Sequence, residues 1–179
     1  MAPKGAIYCW HAHKRQALIS RIWKELGILD HQQIIWVKPA AVFGRVYWHF
    51  RHESCFMGWR KGSMPDHDGD HEFDSVWNID YDGLGRRAAD HPTSKPLELF
   101  ARPMRRHTKR SDICFEPFSG SGSQIIAAEQ EGRRCWGMEI APAFVDVAIK
   151  RWEAATGRQA VLDDSKATFE AVTRQRVAL

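Results

Sequence analysis

The chain has 179 residues and a mass of 20.6 kDa, with 44% hydrophobic and 27% charged residues, the balance of a folded globular protein. Lys and Arg total 26 against 22 Asp and Glu, and this net charge of +4 permits a polyanionic partner without demanding one. No apolar run approaches the ~20 residues that span a bilayer, and no basic-then-apolar leader opens the chain. These absences exclude membrane and secretory readings and set the expectation of a cytoplasmic protein. The four cysteines, Cys9, Cys55, Cys114 and Cys135, form no C-x-x-C pair and are expected as reduced thiols. Eight Trp in so short a chain call for flat stacking surfaces or large buried anchors.

Residues 6–10 (AIYCW) predict a strand. Ala17, Leu18, Ile22, Trp23 and Leu26 recur at helical spacing, with Gly27 as the stop. Ile34–Val37 (IIWV) predicts a buried strand ended by Pro39, and residues 53–59 (ESCFMGW) another. Residues 62–90 are rich in Asp and Gly, with a short strand at 76–79, and are expected to form a long functional loop. A helix is expected at 96–108, with Pro96 in its first turn. An α/β pattern follows: a buried strand at 112–115, a Gly/Ser turn at 116–123, a helix at 124–130, a strand at 134–140 and a helix at 142–155. A weak strand at 159–162 and a short helix close the chain.

Two segments carry chemistry. The first is the strand–turn–helix EPFSGSGS at 116–123, where Gly120 and Gly122 remove side chains and let a ligand approach free helix N–H groups. The next strand ends in Glu139, placed where an acid accepts hydrogen bonds from the ribose hydroxyls of an adenosine-containing cofactor. A glycine turn also serves tight packing alone, and Ile125 breaks the full G-x-G-x-x-G pattern, which counts against a nicotinamide dinucleotide. The second segment is HPTSKP at 91–96, a rigid polar corner ahead of a helix, readable in isolation as a capping turn.

HPTSKP, then EPFSGSG, then GMEI, in this order, resemble the amino-methylating DNA methyltransferases that modify adenine N6 or cytosine N4, in their permuted β arrangement. GAIYCWHAHKR, QQIIWVKP, GRVYWHFRHESCFMGWRKG, SVWNI and RWEAATGRQA extend the likeness to phage- and plasmid-type modification methylases over nearly the whole chain. Glu116 stands where the family usually has Asp, and Ser94 occupies a variable position. The resemblance implies a Rossmann-like α/β doubly wound fold binding S-adenosyl-L-methionine. Glu116, Phe118, Gly120 and Gly122 would line its pocket, Glu139 would hold the ribose, and His91, Thr93, Ser94 and Lys95 would meet the methionine end. The cofactor's carboxylate suits Lys95 and a helix N-terminus.

The family's catalytic motif, Asp/Asn/Ser-Pro-Pro-aromatic, is missing, because none of the eight prolines is adjacent to another. No catalytic residue is therefore assigned to this chain. In the permuted arrangement that motif lies upstream of the AIYCW strand, on a central strand between it and the strand ending at Glu116. The expectation is thus an incomplete domain. A second polypeptide or self-association would supply the strand, the start would be truncated, or the two flanking strands would pair directly.

Residues 59–90 form a candidate target-recognition insert, with Arg45, Arg60, Lys61, Arg86 and Arg87 as candidate contacts to double-stranded DNA. Arg45, Arg51, Arg60 and Lys61 interleave with Tyr47, Trp48, Phe50 and Trp59, a mixture suited to an extruded base, although half of these aromatics are expected in the core. The DHDGDHE run at 66–72 is expected to be a solvated turn, not a metal site. The resulting reading is a restriction-modification DNA methyltransferase, or its cofactor-binding part, adenine N6 ahead of cytosine N4. The rival is a catalytically inactive methyltransferase-like module that holds DNA or regulates a partner.

Overall fold

The computed structural model describes residues 3–66, 73–81 and 95–177. The chain divides into two compact units, Met1–Tyr81 with Arg105–Thr108, and Asp82–Met104 with Lys109–Leu179.

The first unit is a four-stranded sheet. Strand β1 (Ala6–His11) leads through a single 3-10 turn (His13–Arg15) into helix α1 (Gln16–Glu25). Strands β2 (Ile28–Val42) and β3 (Phe50–Arg60) form a long hairpin, and β4 (Val76–Asn78) follows. The order is β1-β3-β2-β4; β1 and β2 run antiparallel to β3, and β4 runs parallel to β2. The 34–37 and 53–59 segments are therefore the middles of longer strands.

Tryptophans fill this unit. Trp23, Trp36, Trp59 and Trp77 are buried, and Trp36 donates its indole N–H to the Ile79 carbonyl at 2.8 Å. Trp10 meets Trp36 and Trp77 edge-on, with ring centroids 6.4 and 6.2 Å apart. Of the 59–90 segment, Trp59, Trp77 and Ile79 belong to the core, while 67–72 and 82–90 lie outside the described residues. Tyr8 lies 2.9 Å from the His107 ring, and burial pushes its phenol well above the ordinary range. Helix α1 follows its predicted span, but only Trp23 is buried; Leu18, Ile22 and Leu26 remain exposed.

The second unit holds most of helix α2 (Glu98–His107), whose last residues belong to the first. Strand β5 (Ile113–Glu116), helix α3 (Ser123–Gln130), strand β6 (Arg134–Gly137), helix α4 (Pro142–Thr156) and helix α5 (Phe169–Val177) follow. Strands β5 and β6 pair in parallel, in register from Ile113↔Arg134 to Glu116↔Gly137. Leu97, Ala101 and Met104 of the α2 segment pack with Ile126, Ala127 and Ala128 of α3, against Cys114, Cys135 and Trp152. The expected 159–162 strand is reduced to a single bridge, Val161 with Thr168.

Two expectations need correction. The 112–115 strand is covered on one face only: Cys114 packs on the core, while Ile113 and Phe115 are exposed together with Trp136 of β6. A two-stranded sheet with a helix on one side leaves its opposite face open. Among the described residues β1 and β5 belong to different sheets, so the alternative in which these two strands pair directly is not what forms. Among the described residues no helix is long and apolar enough to cross a membrane.

Candidate cofactor site

The β5–α3 turn is built around backbone amides. The Phe118 N–H donates to the Glu116 carboxylate at 2.9 Å, and Ser119 N–H donates to the Met138 carbonyl at 2.8 Å. Gly122 N–H closes onto the Ser119 carbonyl at 2.9 Å. Gly120 and Gly122 both take positive φ, +51° and +78°, a region that glycine enters without strain. At Gly122 a side chain is doubly excluded, since a Cβ would lie 2.8 Å from the Cβ of Ala148 on α4. Gly122 is the N-cap of α3 and supplies no capping side chain, so the helix start is left open to an outside acceptor.

Glu139, just past β6, binds this turn directly. Its carboxylate accepts the Gly120 N–H at 2.7 Å through one oxygen and the Ala141 N–H at 3.0 Å through the other. A carboxylate has about four acceptor positions and takes several donors at once, backbone amides and hydroxyls alike. Phe118 and Ile140 stand on either side of this chemistry in sequence and are 85% and 97% exposed. Flat or branched apolar groups beside a hydrogen-bonding acid suit an aromatic heterocycle joined to a sugar.

From the other side, the Arg151 guanidinium on α4 donates to the Ser121 carbonyl and to the hydroxyls of Ser121 and Ser123, at 2.7 and 3.3 Å for the hydroxyls. The Ser119 hydroxyl is buried with no hydrogen-bond partner among the described residues. Burial raises the Glu116 pKa above the ordinary carboxylate value, and the Phe118 amide pulls it partly back.

Glu116, Phe118, Gly120, Gly122 and Glu139 are thus brought together in one unit. Lys95 is half-buried ahead of α2, next to the buried Pro96. His91, Thr93 and Ser94 lie outside the described residues, as do Arg86, Arg87 and positions 67–72 of the acidic run. Asp66, the first residue of that run, accepts the Lys4 ammonium at 2.5 Å. No group of three or more metal-ligating side chains occurs among the described residues. Arg45, Arg60 and Lys61 are all exposed.

Residues 30–150, more than half of the chain, match the family model for N6/N4-type DNA methylases. The chain belongs to the DNA methylase family. Among curated relatives, the chain is 27% identical over 164 residues to Type II methyltransferase M2.MboI of Moraxella bovis, covering 85% of this chain and 60% of that protein. It is 23% identical to Type II methyltransferase M.BglII of Bacillus subtilis, covering 87% of this chain and 54% of the other. The chain therefore spans a little over half the length of these two relatives. The solved structure of an M1.HpyAVI–SAM complex superposes with a TM-score of 0.73 at 22% identity, covering 84% of this chain and 76% of that one. The cytosine-N4-specific PvuII DNA methyltransferase superposes with a TM-score of 0.72 at 17% identity, covering 97% and 69%. These likenesses establish a Rossmann-like methyltransferase fold of the expected α/β class.

Three features of this candidate site carry no signal of their own in the sequence. Ile140 is legible only in hindsight as the apolar residue after the acid. Arg151, 30 residues from Ser121, carries no local signal. Ser119 looked like one more small turn residue.

Proposed function

We propose that this chain is the S-adenosyl-L-methionine-binding part of a DNA amino-methyltransferase of a restriction-modification system. Adenine N6 is the preferred acceptor and cytosine N4 the second. The observation that carries the reading is the Glu139 carboxylate seated on the Gly120 amide, an acid and a glycine turn fastened together beside an open helix start. The residues fit the cofactor. Glu139, an acid held beside the glycine turn, is the acceptor for the ribose hydroxyls in this reading, and Phe118 and Ile140 offer apolar surface to the adenine. Glu116, Gly120 and Gly122 belong to the turn, while His91, Thr93, Ser94, Lys95 and the start of α3 are proposed to meet the methionine end.

When bound, the cofactor supplies an electrophilic sulfonium methyl. The chain's own residues bind and orient it: Glu139 fixes the ribose, and the turn holds its shape through Arg151 behind Ser121 and Ser123. Arg45, Arg60, Lys61, Arg86 and Arg87 are proposed to meet phosphates of double-stranded DNA in the cytoplasm, with residues 59–90 contributing to target recognition. The Pro-Pro motif that polarises the acceptor amine is not among these 179 residues. A second polypeptide or self-association is proposed to bring it as a strand beside β5. In support, β5 pairs only with β6 among the described residues, and Ile113, Phe115 and Trp136 lie exposed on the uncovered face.

Calorimetric titration of S-adenosyl-L-methionine into the folded chain tests this directly. Saturable binding is expected, weakened at least about tenfold in Glu139→Ala, the worth of one or two hydrogen bonds to a charged group. Absence of heat with folded wild type refutes the function, and unchanged affinity in the variant refutes the ribose role alone. Methyl transfer to unmethylated plasmid, followed by nucleoside mass spectrometry, distinguishes N6-methyladenine from N4-methylcytosine once a polypeptide carrying the motif is added.

A further inference from the structure

The β2–β3 hairpin ends in a tip that the cofactor site does not use. Opposite Arg51, β2 carries four residues, 38–41, because the register jumps from Val37↔His52 to Val42↔Phe50. Arg51 bridges the irregularity by donating its Nε–H to the Lys38 carbonyl at 3.0 Å. Beyond it, the tip at 43–49 turns tightly, with the Val46 N–H bonded to the Gly44 carbonyl at 2.9 Å.

Three large rings stand on this tip in the open: Phe43 is 85%, Tyr47 101% and Trp48 88% exposed. Phe43 touches the His49 ring edge-on at 5.0 Å, while Tyr47 and Trp48 make no ring contact among the described residues. So much exposed aromatic surface on one short loop marks an interaction site. Its charge says with what. From residue 31 to 52 there is no Asp or Glu, but there are Lys38, Arg45, Arg51, His31, His49 and His52. Glu53 neutralises Lys38 at 2.8 Å, whereas Arg45 and Arg51 have no carboxylate partner among the described residues. Unscreened guanidinium groups interleaved with bare aromatic rings complement a polyanion whose building blocks have flat faces.

We propose that the tip at 43–49 is a stacking wedge for DNA bases that have lost their pairing partners. Tyr47 and Trp48 lie on the faces of unpaired bases, and Arg45 and Arg51 hold the flanking phosphates. This rests on the DNA-methyltransferase reading and adds to it a part that acts on the duplex apart from the cofactor. Because base faces are hidden in an intact duplex, the wedge discriminates opened from closed DNA.

The test is fluorescence anisotropy of the full chain with two labelled duplexes of one sequence, fully paired or with a central mismatch, plus the single strand. Wild type is expected to prefer the mismatched duplex and the strand. Tyr47→Ala/Trp48→Ala is expected to lose roughly 10- to 100-fold on those two and little on the paired duplex. Arg45→Ala/Arg51→Ala is expected to weaken all three and to lower the salt slope by up to about two. The positions are exposed, so circular dichroism and S-adenosyl-L-methionine titration should match wild type in every variant. An aromatic variant that keeps both affinity and preference overturns the wedge. So does sedimentation showing that it abolishes self-association while leaving DNA binding intact, which would make a second copy the occupant. Wild type that binds the cofactor but no DNA overturns the wedge alone. Wild type that binds DNA with the expected aromatic loss, but no cofactor, supports the wedge and overturns the cofactor site.

Discussion

The Glu139 carboxylate accepts the Gly120 amide at 2.7 Å from nineteen positions along the chain. One side chain thus closes the glycine turn and presents an acid beside it. Glu139→Ala is expected to cost stability as well as ligand, about 1–3 kcal/mol for two buried-side amides left without their acceptor. Glu139→Gln keeps one carbonyl oxygen and turns an NH2 toward the other amide, so its loss should be nearly as large. Urea unfolding of the three proteins without ligand, set beside their calorimetric titrations, separates the two roles.

Gly122 is held by two constraints at once, a φ of +78° and the Ala148 methyl 2.8 Å from where a Cβ would be. Gly122→Ala is expected to destabilise by about 2–4 kcal/mol, from left-handed strain together with overpacking. Ala148→Gly removes only the second constraint. A double-mutant cycle in denaturant should therefore return a coupling of about 1–2 kcal/mol.

Gly58 presents the same logic in the first unit, more severely. Its Cβ would lie 1.9 Å from the Leu29 carbonyl oxygen and 2.8 Å from the Trp23 ring, opposite the β2 irregularity between Asp30 and Gln32. Neither neighbour is a movable side-chain end. Gly58→Ala is expected to cost more than about 4 kcal/mol, visible as loss of the cooperative thermal transition.

Glu116 makes the unliganded chain pH-sensitive in a particular direction. Burial raises its pKa in the folded state above the unfolded value, so the folded form binds the proton more tightly. The stabilisation is fully present below the ordinary glutamate value and is lost as pH rises through the folded pKa. Glu116→Gln keeps an acceptor for the Phe118 amide and removes the titration. Its unfolding midpoint should exceed that of wild type near neutrality, and the gap should close as the solution is acidified below about pH 4.

Cysteine reactivity should follow burial. Cys55 is fully buried with its thiol pushed far up, and burial raises Cys135 to about 12 with Cys114 next to it on β5. A thiol-specific disulfide reagent at pH 8 should label neither until the chain is unfolded, as mass spectrometry of quenched samples would read.

The helices and strands were legible where a local pattern set them. The α1 spacing, Pro96 and the 142–155 span each marked a boundary within two residues. The glycine turn and Glu139 were legible because their chemistry is local to one strand–turn–helix unit and the strand after it. The length of the β2–β3 hairpin was not, since His31, Gln32 and Gln33 are polar and Pro39 and Pro-adjacent Lys38 read as a stop. The strand runs on because β3 pairs with it on both sides of these positions, from Ile28↔Arg60 to Val42↔Phe50, with His31 and residues 38–41 carried as irregularities. Nor could composition tell which tryptophans are anchors: Trp36 and Trp48 sit in similar apolar and basic surroundings along the chain, but Trp36 lies within β2, paired with Glu53 of β3, and is buried, whereas Trp48 falls in the tip between the strands and is exposed. Arg151 reaches the turn through tertiary packing alone, so its role waits on three dimensions.

The indoles of Trp10, Trp36 and Trp77, with Tyr8 6.4 Å from Trp77, make a cluster of chromophores close enough for their transition dipoles to couple. All four belong to the first unit. Near-ultraviolet circular dichroism of this chain is therefore dominated by one sheet. Melting of that sheet can be followed optically, while the second unit, which holds Trp136 and Trp152, is followed by the S-adenosyl-L-methionine titration.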